Sequence, residues 1–86
     1  MAIGDLKAEL DYFCKMLLDP LNTYLTSLAN FIQNSETKLT DELAGSAHPM
    51  TANVSETLNF ARVNCDSAAA SCKDASDYIK KYNESI

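Results

Sequence analysis

Met16-Leu17-Leu18-Asp19-Pro20-Leu21-Asn22-Thr23-Tyr24-Leu25 is the stretch on which the fold turns. Asp19-Pro20 has the form of a helix N-cap followed by a first-turn proline, which would open a new helix and give a three-helix bundle. Two features favour a longer helix running through it. No residues are left for a loop, and helix–helix connections in bundles take about 2–8. The apolar positions also stay in step across the proline, from Leu17 to Leu21 to Leu25. The expectation is one helix over about 4–43, kinked near Pro20.

Working outward, the stripe runs Ile3, Leu6, Leu10, Cys14, Leu17, Leu21, Leu25, Leu28, Ile32, Leu39, Leu43, with Glu36 out of place. Steps of three and four residues are helical periodicity. A second stripe, Val54, Leu58, Ala61, Cys65, Ala68, Cys72, Ala75, Ile79, Tyr82 and Ile86, follows a heptad and predicts a helix over about 53–83. Its middle is small, so a partner helix approaches closely. Leu58, Ala61, Cys65, Ala68 and Cys72 are the expected seam of the hairpin, and Ala68→Leu is expected to overpack it. The turn, 44–52, follows Leu43. Gly45 stands where a helix ends, Pro49 biases His48 toward extended backbone, and Asn53 with Glu56 resembles a capping box.

The 86 residues suit one domain, 1–86. Eleven alanines and ten leucines favour helix, and two glycines with two prolines are too few for a turn-rich β domain. A net charge of −5 argues against a nucleic-acid partner. From Met16 to Ser35 the only charge is Asp19, but Pro20 and eight Asn, Thr, Ser or Gln residues interrupt any membrane span. The start lacks the basic and apolar regions of a signal peptide. Charge depletion at the centre of a helix face is the signature of an interface. Leu17, Leu21, Tyr24, Leu25, Leu28, Phe31 and Ile32 are therefore the expected contact with a second hairpin. The fold expected is all-α: an antiparallel two-helix hairpin pairing into a four-helix bundle.

Chemistry-bearing constellations are sparse. His48 is the only histidine and has no orienting acid beside it in sequence. Asp74 and Asp77 lie among Lys73, Lys80 and Lys81, a solvated pattern of i,i+4 pairs. Cys14, Cys65 and Cys72 are an odd set. Cys65 and Cys72, seven apart on one helix, are separated by about 10.5 Å, too far for a disulfide, and all three read as small reduced core residues. No Cys-x-x-Cys or Glu-x-x-His spacing occurs. The reading is not an enzyme, with no cofactor and no metal.

Leu43-Ala44-Gly45 with Ser46 and Ala47, in the turn of a short acidic hairpin, resembles the Trp-x-Gly turn of the small helical-hairpin substrates and partners of bacterial type VII secretion, with leucine where the family has tryptophan. Tyr78, Tyr82 and Glu84 echo that family's aromatic-x-x-x-acid export signal, with the acid out of register. The resemblance implies a hairpin that pairs with itself or with a similar hairpin, or that accompanies a larger secreted effector. It implies residence in the cytoplasm before export by a route that needs no signal peptide. Arg62, Lys73-Asp74 and Ile79 after a proline-bearing turn are also similar to type III secretion needle subunits, without their doubled proline. A generic helical-bundle adaptor is the remaining alternative.

Overall fold

A computed structural model describes residues 2–86. Helix α1 (Ile3–Phe13) passes through a five-residue π turn (Cys14–Leu18) into α2 (Asp19–Leu43); α3 (Thr51–Ser85) returns antiparallel along it. The result is a helical hairpin without strands among the described residues. It is a rod of 64 × 16 × 15 Å with a radius of gyration of 19.1 Å, where a compact chain of this length would have about 12 Å.

The helix runs on through Pro20, and the accommodation lies one step ahead of it. In a regular α-helix the proline ring would press on the carbonyl of Met16, four residues back, and would offer that carbonyl no N–H. The π turn widens the backbone there, and the Asp19 N–H donates to the Cys14 carbonyl, five residues back. The extra residue also alters the stripe. Steps of four from Leu10 through Cys14 and Leu18 to Asn22 would drift about 40° each in a regular helix. The wide turn takes up that excess. Leu18 is thereby 8 % exposed and faces the core, while Leu17 is 45 % exposed and faces out. The expected continuity from Leu17 to Leu21 is replaced by one from Cys14 to Leu18.

α3 is rotated in the same sense. Leu58, Cys65, Cys72 and Ile79 lie half-buried along the seam, as the heptad predicts. The residues alternating with them are Ser55, Arg62, Ala69, Ser76 and Asn83, each one position beyond the apolar choice of Val54, Ala61, Ala68, Ala75 and Tyr82. Ala69 and Ser76 are buried, whereas Ala68 is exposed. The assignment of Ala68 to the seam is thus corrected by one residue. The reason is polar. Asn22 Nδ2 donates to the Ala69 carbonyl (2.7 Å) and the Ser76 hydroxyl to Asp19 Oδ1 (2.7 Å). Asn83 Nδ2 donates to the Lys7 carbonyl (3.2 Å) and to Asp11 Oδ1 (3.0 Å), and Arg62 meets Glu36 at 3.8 Å. Glu36, the one interruption of the first stripe, thus has its partner across the seam.

The turn also departs from expectation. Neither glycine has positive φ, and Gly45 follows α2 without a left-handed cap; the Ser46 N–H instead donates to the Leu43 carbonyl (2.8 Å). α3 begins at Thr51, so Asn53 and Glu56 lie inside the helix and do not cap it. Ser46 Oγ accepts from the His48 N–H (3.2 Å), and His48 Nδ1 accepts from the Met50 N–H (3.1 Å), which gives the only histidine a role in closing the turn.

Two substitutions test the rotation. Ala69→Leu is expected to destabilise the hairpin by about 1–3 kcal/mol through overpacking. Asn22→Ala is expected to cost about 1–2 kcal/mol by removing a hydrogen bond that spans the seam. Chemical denaturation measures both; an unchanged midpoint for Ala69→Leu would place Ala69 outside the seam.

Candidate interaction surface

The rotation divides the rod into two unlike sides. Asp19, Asn22, Glu36, Arg62, Lys73, Asp77 and Lys80 border one side of the seam, where Lys80 reaches Asp19 at 3.7 Å and Arg62 reaches Asp66 at 3.7 Å. At about 100° per residue, the opposite side of the π turn and α2 carries Leu17, Leu21, Tyr24, Leu28 and Phe31. The matching side of α3 carries Thr57, Ala61, Asn64, Ala68, Ser71 and Ala75. None of these residues is charged. Near the turn this side opens into an apolar groove of about 380 Å³ between Leu39, Val54, Thr57 and Leu58.

The expected interface residues divide between seam and surface. Tyr24 and Phe31 are 64 % and 68 % exposed and, with Leu17, form an outward ridge spaced by seven residues. Leu21, Leu25, Leu28 and Ile32 are half-buried. Leu25 and Ile32 fall in line with Leu18 in the heptad that faces α3. Leu21 and Leu28 connect seam and ridge. Of the expected seam residues, Leu58, Ala61, Cys65 and Cys72 are half-buried and Ala68 is outside. In the turn, Leu43 is half-buried, and Gly45 and Pro49 are exposed. Apolar periodicity does not mark Leu18, Ala69, Asp19, Asn22 or Ser76 as seam residues. The signal that could find Asn22, Ala69 and Ser76 is the i,i+7 recurrence of polar or small residues at 22, 29 and 36 and at 62, 69 and 76.

The three thiols are free; Cys14 is buried, its Sγ directed at the Ser76 carbonyl (3.9 Å). Among the described residues no group of three metal-ligating side chains gathers, and no helix is long and apolar enough to cross a membrane. Little of the chain is buried: Cys14, Leu18, Ala29, Ala69 and Ser76. The accessible surface is 6161 Å². A compact protein of this mass would expose about 5,000 Å².

On the charged side, Lys73 Nζ donates to Asp77 Oδ2 at 3.1 Å. That hydrogen bond, with the attraction behind it, lowers the Asp77 pKa and raises that of Lys73. The pair's contribution is present above the ordinary aspartate range and is lost as pH falls through the lowered Asp77 value. At the other end it is lost as pH rises through the raised Lys73 value. The pair is open to solvent, which screens it. Asp77→Asn is therefore expected to leave the melting temperature at neutral pH within error. An NMR titration of wild type should place Asp77 below an unpaired aspartate, and an ordinary value would mean that the contact does not persist in solution.

No family model matches the chain, and neither the curated proteins nor the solved structures contain a match.

Proposed function

We propose that this chain is a non-enzymatic association module, one half of a four-helix bundle whose other half is a helical hairpin of similar kind. We further propose that it acts as a small substrate or partner of a type VII-like secretion machine. The observation that carries the first part is the uncharged side of the rod, with Tyr24 and Phe31 standing free on it. The surface excess over a compact monomer is about 1,200 Å², which exceeds the roughly 800 Å² per partner of a standard interface. A hairpin with so small an interior gains its missing burial by laying that side on another. The secretion part rests on the resemblance of Leu43-Ala44-Gly45 and its surroundings to that family's turn.

Light scattering on a sizing column, with reductant present, tests the association. The expected result is a particle of two hairpins, or a single hairpin that binds a hydrophobic dye and loses that binding in Tyr24→Glu/Phe31→Glu. A folded monomer that binds no dye, or a long filament, would overturn the reading. For secretion, the chain is expected in the culture medium of its host and to be absent from it when the secretion ATPase is deleted. Unchanged export would overturn that part.

A further inference from the structure

We infer that the uncharged side is self-complementary and that its occupant is a second copy of this chain, set with both turns at the same end; this rests on the association reading above. The side has two parallel features of opposite relief. Leu17, Tyr24 and Phe31 form a ridge on α1–α2, each step seven residues. Ala61, Ala68 and Ala75 are a line of small side chains on α3 with the same step, bordered by the exposed Phe60 and Tyr78, and the low relief they leave is the trench. Seven residues of helix rise about 10.5 Å, so ridge and trench share one repeat.

The hairpin also holds them level. The hydrogen bonds from Asn22 to Ala69 and from Ser76 to Asp19 set Tyr24 beside the Ala68–Cys72 turn of α3. The same register sets Leu17 near Ala75 and Phe31 near Ala61. A two-fold axis along the rod lays the ridge of each copy over the trench of the other, with Tyr24 above Ala68 in both directions, an isologous contact. The two-fold axis across the rod instead stacks ridge on ridge and leaves the trenches empty, which forfeits packing. Each chain carries −5, and four of its acids, Asp19, Glu36, Asp66 and Asp77, lie away from the contact, paired with Lys80, Arg62 and Lys73.

The test is a charge exchange between copies, using full-length Tyr24→Lys and full-length Ala68→Glu. Both positions are exposed in the single hairpin, so each variant is expected to remain helical by circular dichroism. Alone, each leaves a charge without a partner at the contact and is expected to dimerise about tenfold more weakly or worse. Mixed one to one, they are expected to form a heterodimer in which the introduced ammonium of one copy pairs with the introduced carboxylate of the other, and the second contact stays native. Light scattering and analytical ultracentrifugation read the mass. A wild-type dimer without rescue on mixing would overturn the ridge-over-trench arrangement and leave the association reading standing. A wild-type monomer that binds hydrophobic dye would overturn self-pairing and leave a different hairpin as occupant. A wild-type monomer that binds no dye would overturn both. Should either variant unfold, Phe31→Lys mixed with Ala61→Glu makes the same comparison one repeat away.

Discussion

The hydrogen bond from Asn22 to the Ala69 carbonyl, with that from Ser76 to Asp19, fixes how the two arms of this hairpin are rotated. Each bond joins a polar side chain on one arm to a partner on the other, at 2.7 Å in both cases. A polar group enclosed between helices without a partner costs about 1–3 kcal/mol, so once these residues enter the seam their pairing sets its register. Arg62 with Glu36 and Asn83 with Lys7 and Asp11 extend the same constraint toward both ends. Both arms turn toward their polar sides, and the larger apolar side chains are displaced outward. The free ridge and the alanine trench are consequences of that rotation.

The same constraint explains why so little is buried. A seam made of Asn22, Ala29 and Glu36 against Arg62, Ala69 and Ser76 holds register with modest apolar area. Leu18, Leu25, Ile32, Leu58 and Ile79 are among the residues that add apolar area to it. Folding costs roughly 1–2 kcal/mol per residue in backbone entropy alone, and a rod with five buried residues among those described has little to set against it. Folding and association are therefore coupled in the proposed bundle: covering the second side of each hairpin completes the burial that the seam leaves unfinished.

Hairpin topology, the limits of both long helices to within about two residues and the position of the turn are legible in the sequence. They rest on long, strongly periodic stripes, and periodicity survives small errors of phase. Rotation is less legible, for a definite reason. A stripe built from apolar residues selects Ala61, Ala68 and Ala75, when the neighbouring Arg62, Ala69 and Ser76 face inward because they have partners on the other arm. Hydrophobicity alone does not register a partner 47 or 57 residues away. Gly45 misleads for a related reason: its type fits a left-handed cap, but Ser46 and His48 close the turn with hydrogen bonds of their own.

Pro20 connects these two levels. Its ring forces the turn before it to widen, and the widened turn advances the helix by one residue. That advance brings Leu18 into line with Asn22, Leu25 and Ala29, and it moves Leu17 into line with Tyr24 and Phe31. Without it, the steps of four between Leu10 and Asn22 would carry α1 about 120° around the axis of α2, and α1 and α2 could not both lie against one straight α3. The proline that reads as a candidate helix break is therefore what lets a 41-residue helical run stay on one partner. It also extends the outward ridge to Leu17, past the end of α2.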